Sequence, residues 1–293
     1  MSYKTKEIKK GIKLHCIDTN KFKTNLMAVF ITLPLNREQV TYNTVIPAVL
    51  KRGTNNLKTQ EEIAKKLEEM YGAAFDCGID KIGDNQVIKF YCETLNDNFV
   101  PEGKNMEESI NLLFDIIFNP YTENNKFKEE YVEAEKNNIK IVIESKIDNK
   151  DQYALNRCIE EMYKEKPYGL YKYGYVEDLD KINAENLYNY YKDMINSSKI
   201  DILVSGEIET EEVVKVISEN ENIINLSERE PKYIINNEQT EKKIKISEIK
   251  ELEEKMDIGQ GKLIMGLDIN LNEENAKYPI SMYNIILRRK CNI

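Results

Sequence analysis

The chain contains one histidine, His15, and this count limits the catalytic chemistry that its side chains could perform. Zinc helices of the HxxEH or HExxH type need two imidazoles, so both are excluded. A Ser-His-Asp or Cys-His site would have to use His15 itself. In the alternating segment IKLHCID, Ile12, Leu14 and Cys16 share one face and His15 points to the other. We interpret His15 as an ordinary strand histidine rather than the base of a residual enzyme.

Two other patterns suggest chemistry but have simpler structural explanations. Gly259 and Gly261 precede Lys262, yet the segment lacks GxxxxGK(S/T) spacing and leads into a predicted strand, so it does not predict a phosphate site. Paired glutamates lie on the polar faces of predicted helices, where they are solvated surface charges. These pairs are Glu68-Glu69, Glu129-Glu130 and Glu160-Glu161.

Composition excludes several classes of protein. With 293 residues, 41% hydrophobic and 32% charged, the chain can bury a core, and its net charge of -9 argues against nucleic-acid binding. The sequence has no run of 18 apolar residues, so we expect no membrane span, and its N-terminus lacks the apolar region of a signal peptide. Five cysteines without CxxC spacing predict reduced thiols in the cytoplasm.

Residues 41–59, TYNTVIPAVLKRGTNNLKT, join a strand region to a helical region. Thr59 and Glu62 form a capping box that predicts a helix over residues 60–71. Pro47 lies inside the preceding apolar run, so we expect any helix there to begin near Pro47 or to kink at it. This stretch contains no histidine, cysteine, aspartate or glutamate.

The rest of the chain alternates between strand and helix patterns. Two hairpins are predicted, residues 12–18 with 25–33 and residues 73–80 with 86–94. Helices are predicted at about 106–118, 127–145, 151–164, 183–195 and 210–218, with a buried strand at 200–206. After a polar linker, strands at 245–251 and 261–270 precede a helix from about 275. The order predicts an α+β domain over 1–225, a linker over 226–243 and an incomplete, similar domain over 244–293.

Several segments resemble, in the right order, the insulinase/pitrilysin-like (M16-type) peptidase family. Four of them match its first repeat: LPLNREQVTYNTVIPAVLKRGT, LEEMYGAAFD, KPYGLYKYGYVEDLDKINAENLYNYY and IDILVSGEIE. The later segments IGQGKLIMGLDI and YPISMYNIIL resemble the start of its second repeat. The resemblance implies a mainly antiparallel sheet covered by helices. Zinc-dependent members of the family carry the inverted motif HxxEH.

When this sequence is aligned with the family's pattern, the two histidines of the motif fall at Thr44 and Ala48, and its glutamate falls at Pro47. A hydroxyl, a methyl group and a pyrrolidine ring cannot replace the imidazole, thiolate or carboxylate ligands of Zn²⁺. The resemblance therefore implies the fold without the metal, and we expect no cofactor.

The family's distal glutamate ligand falls on the predicted helix after residue 127. Its position is Val142 or one of Glu133 and Glu135, and the two glutamates have a simpler interpretation as surface charges.

The resemblance implies a catalytically inactive homologue that pairs, as a heterodimer, with a zinc-bearing HxxEH peptidase in peptide binding or processing. The alternative is a stand-alone peptide-binding or scaffold module that takes extended segments by strand addition. Since the chain reads ILRRKCNI where the family's second repeat continues, we also expect a truncated product.

A tyrosine-rich loop offers candidate contacts to a partner or a peptide. Tyr168, Tyr171, Tyr173 and Tyr175 follow one another closely, and aromatic side chains are common anchors at interfaces. The alternative is a packed structural loop that its glycines turn.

Overall fold

The structure is a computed structural model that describes residues 2–101, 103–233, 249–256, 259–267 and 277–290. The chain divides into two compact units, Met1–Ile234 and Ile235–Ile293, each described by itself. Across the described residues, no helix is both long and apolar enough to cross a membrane.

A six-stranded sheet organises the first unit. The strands of the unit are β1 Ser2–Lys9, β2 Ile12–Asp18, β3 Thr24–Pro34, β4 Ala74–Ile82, β5 Asn85–Leu95, β6 Thr122–Glu123, β7 Lys126–Phe127 and β8 Lys199–Gly206. The order in the large sheet is β1-β2-β8-β3-β5-β4. The β2–β8 pair is parallel, whereas the other four pairs of the large sheet are antiparallel. The predicted α+β class with a mainly antiparallel sheet is confirmed.

The helices pack mainly against the side of the sheet that carries its buried residues. Those of the first unit are α1 Val40–Leu50, α2 Gln60–Glu69, α3 Asn105–Phe118, α4 Glu129–Glu144, α5 Lys150–Met162, α6 Val176–Leu179, α7 Ala184–Ser197, α8 Thr210–Glu219 and α9 Glu221–Asn225. Apolar residues of α1, α3, α4 and α7 join those of the strands in one core, which includes Phe90, Phe114 and Leu187. The predicted helices exist, with ends that differ by a few residues.

The first predicted hairpin is wrong, because β2 and β3 do not pair. β8 lies between them, parallel to β2 and antiparallel to β3. Ile200, Ile202 and Val204 of β8 are buried, and no residue of that strand is exposed, so a central position suits it. Burial of this apolar strand outweighs the local advantage of a short turn. The edge strand β1 was missed because its exposed residues carry no apolar pattern.

The second predicted hairpin, β4–β5, is confirmed, and so is the capping box at α2. Ile82 and Asn85 close the hairpin around a two-residue turn in which Gly83 has φ +56°. At α2, Thr59 accepts the Glu62 backbone N–H at 3.2 Å, while the Glu62 side chain accepts the Thr59 N–H at 3.2 Å. Both elements are built from neighbouring residues, which is why the sequence predicts them well.

The helix containing Pro47 does not begin near that residue, contrary to one expectation. α1 spans Val40–Leu50, so Pro47 lies in its interior, where it cannot donate a backbone hydrogen bond. All α1 residues except Tyr42 and Ala48 are buried, and α1 packs against α4, β4 and β5. Burial of this apolar helix offsets the missing hydrogen bond.

In the second unit, the described residues 249–251 and 261–267 form no strand, so the two predicted strands are wrong for those residues. The remaining parts of both predictions, 245–248 and 268–270, lie outside the described residues. The physical reason is that a strand needs a hydrogen-bonded neighbour, and the described part of this unit contains no other strand. A helix, α10 Lys277–Lys290, is present where one was expected. The predicted domain boundaries stay a prediction.

Candidate functional site

The three positions that the zinc motif would occupy lie on the buried helix α1. Thr44 and Ala48 are four residues apart and therefore share one face of the helix. The Thr44 hydroxyl lies 3.1 Å from the Val40 carbonyl oxygen and 3.4 Å from that of Lys172. Pro47 is buried, and its carbonyl oxygen accepts the Cys77 thiol at 3.4 Å. The Thr44 hydroxyl is thus bonded to backbone carbonyls and the Pro47 carbonyl to a thiol, and the side chains of Thr44, Pro47 and Ala48 provide no ligand set for a metal.

The helix α4, which packs against α1, carries the three candidate positions of the distal glutamate. Glu135 is buried, and the Arg52 Nε atom, just beyond the end of α1, donates to its Oε1. The Asn138 amide donates to the other carboxylate oxygen at 3.2 Å. Val142 and Glu133 are exposed. Glu135 is thus a buried, paired carboxylate rather than the surface charge that was expected, while the register of the distal ligand stays a prediction.

The electrostatics around α1 disfavour metal binding. Arg52 supplies a positive counter-charge to Glu135, so this carboxylate already has the partner that a buried charge requires. Burial raises the pKa of the Cys77 thiol to about 11, and it outweighs the nearby Lys51 charge, which lowers this pKa. At neutral pH the thiol is protonated and is a poor metal ligand. Among the described residues, no group of three or more His, Cys, Asp or Glu side chains is arranged to hold a metal ion.

The tyrosine-rich loop is fixed tightly to α1. Gly174 has φ +79°, and a Cβ atom at this position would lie 2.2 Å from the Thr41 hydroxyl oxygen, so only glycine fits. The Tyr175 backbone N–H donates to that hydroxyl oxygen at 3.1 Å, and the hydroxyl donates to Asp178 at 3.2 Å. The loop therefore packs directly against α1 through Thr41.

A buried polar network joins the same loop to the sheet. The Gln86 side chain is fully buried, and its amide nitrogen donates to the carbonyl oxygens of Lys172 at 2.8 Å and Val40 at 3.2 Å. Its carbonyl oxygen accepts the Asn43 amide at 2.8 Å, and Asn43 in turn accepts the Tyr190 hydroxyl at 2.7 Å. Sequence reasoning missed this network. Its signal was a glutamine at the start of an apolar strand and an asparagine in an apolar helix.

The four tyrosines proposed as partner contacts are half buried. The Lys81 ammonium lies 4.5 Å from the centre of the Tyr168 ring, and Tyr171 meets Tyr173 edge-on at 5.7 Å. The Tyr175 hydroxyl accepts the Tyr171 backbone N–H at 3.3 Å. These contacts give the rings a structural role, and their role toward a partner stays a prediction.

His15 lies on β2, on the sheet face opposite the buried side chains of that strand. Its Nδ1 atom is 2.9 Å from the Tyr3 hydroxyl oxygen, and its Nε2 atom is 3.1 Å from Asp201 Oδ1. Tyr3 and Asp201 come from the flanking strands β1 and β8, so the imidazole joins three strands.

The strand β4 is an edge strand that lies beside α1. Within the described residues it pairs only with β5. Since Ile82 and Asn85 form the closing hydrogen-bonded pair, alternation directs the backbone groups of Phe75, Cys77 and Ile79 away from β5. Two of these groups already have partners, since the Cys77 N–H donates to Asp76 Oδ1 at 2.8 Å and the Ile79 carbonyl oxygen accepts from Lys172 at 3.3 Å. The edge therefore offers only its remaining donors and acceptors to an extended peptide.

Comparison with known proteins gives two curated relatives, both from Bacillus subtilis (strain 168). The chain is 32% identical to "Probable inactive metalloprotease YmfF" over 270 residues, which are 92% of this chain and 62% of that protein. It is 30% identical to "Uncharacterized zinc protease YmfH" over 190 residues, which are 62% of this chain and 41% of that protein. The chain thus spans less than two thirds of the length of either relative. No protein-family model matches the sequence.

Among solved structures, the peptidase M16 inactive domain from Pseudomonas fluorescens matches with a TM-score of 0.62 and 15% identity. The match covers 80% of this chain and 53% of that one. At this identity the likeness shows the fold, and the fold agrees with the resemblance in the sequence.

Proposed function

The chain belongs to the M16-type peptidase family as an inactive member, and from this premise we propose that it binds extended peptide and pairs with a zinc-bearing HxxEH homologue. One observation carries the proposal: the helix that holds the motif positions is a buried, well-packed part of the core although it carries no metal ligand at those positions. α1 still packs against α4, β4 and β5, while Thr44, Pro47 and Ala48 stand in the motif positions. A folded domain that lacks the metal ligands of the motif can still bind a peptide, but it cannot hydrolyse one by the zinc mechanism.

The β4 edge supports the peptide-binding part of the proposal. An extended segment can add to the sheet by pairing with the outward backbone groups of Phe75 and the outward carbonyl oxygen of Cys77, whose N–H donates to Asp76. Cys77 also contacts Pro47 of α1, so a peptide on this edge lies next to the helix that carries the motif in active members. Backbone pairing gives affinity without requiring any catalytic side chain.

The two curated relatives support the pairing part. One organism contains a relative named inactive and another named a zinc protease, and this chain is similar to both. A non-catalytic chain and a zinc-bearing chain of one fold can enclose a peptide between them, with the chemistry supplied by only one chain. We expect this assembly to be a heterodimer in the cytoplasm.

Co-expression with an HxxEH homologue from the same host tests the proposal. Size-exclusion chromatography with light scattering should show a heterodimer, and peptide cleavage should require the homologue. Replacing the glutamate of the homologue's motif with glutamine is the matched control, since it should abolish cleavage while the complex still forms. Stoichiometric zinc in this chain alone, with cleavage that a chelator abolishes, would contradict the proposal.

A stand-alone peptide-binding module is the second candidate, because the β4 edge is formed entirely by this chain. The same chromatography separates the two candidates. A monomer that captures peptide and forms no complex with the HxxEH homologue would favour the second.

A further inference from the structure

A chain of hydrogen bonds crosses the sheet face on which His15 lies. On β8, Lys199 Nζ donates to Asp201 Oδ2 at 2.6 Å. The other carboxylate oxygen of Asp201 lies 3.1 Å from His15 Nε2, and His15 Nδ1 lies 2.9 Å from the Tyr3 hydroxyl oxygen. A hydroxyl, an imidazole and a carboxylate joined in this order have the connectivity of the nucleophile, the base and the orienting group in hydrolytic triads.

The carboxylate determines which nitrogen of the imidazole can accept a proton. An ionised carboxylate has no proton to donate, so the hydrogen bond between Asp201 and Nε2 requires that Nε2 carries the proton. In the neutral imidazole, Nδ1 then has the free lone pair and accepts the Tyr3 O–H. Lys199 holds Asp201 from its other oxygen. His15 is therefore oriented as a general base toward Tyr3.

Tyr3 is the accessible member of this chain of hydrogen bonds. It is 62% exposed, whereas the side chains of His15 and Asp201 are 24% and 16% exposed. A reagent can therefore reach the phenol oxygen, while the base and its orienting group are partly shielded from water. Tyr71 is a suitable comparison, because it is 52% exposed and its hydroxyl has no hydrogen-bond partner among the described residues.

We propose that Tyr3 is a modification site for activated acyl donors, with His15 as its general base and Asp201 as a positioning residue. The phenol oxygen forms a bond to the acyl carbon while its proton passes to His15 Nδ1. The bond from the acyl carbon to the leaving group breaks, and the leaving group departs with the electron pair and takes the proton from His15. The acyl group stays on Tyr3 as an ester. The step is thus a modification without turnover, and it does not depend on the proposed peptide binding.

Acetylation of the purified full chain by N-acetylimidazole tests the proposal, with imidazole as the leaving group. Peptide mapping by mass spectrometry gives the rate at each tyrosine, and Tyr71 is the internal reference. We expect Tyr3 to react roughly tenfold faster than Tyr71 or more, since a positioned general base typically contributes about 10²- to 10⁴-fold. Equal rates at the two tyrosines would overturn the proposal.

Two variants test the base and the residue that orients it. His15→Phe should lower the Tyr3 rate to about that of Tyr71. Asp201→Asn should lower it several-fold, because the asparagine amide can donate to Nε2 and so favour the tautomer in which Nδ1 is protonated. Glu93→Gln removes an exposed carboxylate from the same sheet face on β5 and, as the matched control, should leave the rate unchanged. An unchanged Tyr3 rate in either of the first two variants would refute the role of the residue replaced.

The pH profile of the wild-type protein distinguishes a base from a structural contact and needs no variant. The titratable and charged groups around His15 on its sheet face are Tyr3 and Glu7 of β1, Lys13 of β2, and Lys199 and Asp201 of β8. Because only neutral His15 can accept the proton, the ratio of the Tyr3 rate to the Tyr71 rate should rise with pH as His15 is deprotonated. NMR of the imidazole ring protons follows this step without ambiguity, since the chain has one histidine. A ratio that stays constant while His15 titrates would overturn the proposal.

Discussion

The buried ion pair between α1 and α4 gives the sharpest prediction about stability. Arg52→Met removes the guanidinium and leaves the Glu135 carboxylate, whose side chain is only 3% exposed, with the Asn138 amide at 3.2 Å. Loss of one partner of a buried pair typically costs about 3–5 kcal/mol, since the other charge stays buried without compensation. We expect Arg52→Met to lower the free energy of unfolding by that amount and the Tm by roughly 6–20 °C.

Substituting the other partner, Glu135, should lower the free energy of unfolding by less than Arg52→Met does. This difference between the two variants is what the experiment tests. Glu135→Gln leaves Arg52, whose side chain is already 26% exposed and can turn toward water. A neutral amide of the same size can keep one hydrogen bond, so we expect a loss of about 1–2 kcal/mol. The double substitution should be no less stable than Arg52→Met alone, because it removes the uncompensated carboxylate.

Urea unfolding followed by far-UV circular dichroism measures all three variants against the wild-type protein. Tyrosine fluorescence provides a second probe, since the chain contains 18 tyrosines and no tryptophan. Coincident transitions by the two probes would show that one cooperative unit is being measured. Equal losses for the two single substitutions, or losses below about 0.5 kcal/mol, would refute the assignment of Glu135 as a buried charge that depends on Arg52.

Two further predictions concern the contact between the tyrosine-rich loop and α1. Gly174→Ala should lower the free energy of unfolding by clearly more than Gly72→Ala, because the added Cβ at residue 174 would lie 2.7 Å from an α1 backbone atom. Gly72 has a similar φ but open space around it, so Gly72→Ala should lower the free energy of unfolding by only about 1 kcal/mol. Burial opposes ionisation of Asp178, but hydrogen bonds from Lys181 and Arg37 outweigh it and hold the pKa of this carboxyl below its ordinary value. Its ionised form therefore stabilises the fold above about pH 4, and this contribution is lost as the pH falls through the lowered pKa. Asp178→Asn should show a flatter loss of stability in that range by thermal melts at a series of pH values, and an unchanged slope would contradict this.

Local sequence signals predicted the elements of this fold well. The capping box of Thr59 and Glu62 and the β4–β5 hairpin involve residues close in sequence, so their signals are contained within short segments. Helix amphipathicity located the long helices for the same reason. The mainly antiparallel sheet followed from the family resemblance, not from any single segment.

Long-range pairing was the part that the sequence could not supply. β8 inserts between β2 and β3 although more than 160 residues separate it from either strand, and no local pattern specifies that neighbour. The contact of Arg52 with Glu135 and that of Gly174 with Thr41 likewise join distant segments. Glu135 was interpreted as a surface charge because its helix is rich in charged residues, and only the packing of α4 against α1 shows that it is buried.

The zinc content of the purified chain tests the central claim most directly. After equilibration with Zn²⁺ and removal of excess metal, mass spectrometry of the metal should find far less than one zinc per chain, because Thr44, Pro47 and Ala48 offer no ligands. One zinc per chain, removed by a chelator together with peptide cleavage by the chain alone, would contradict the assignment of an inactive M16-type member.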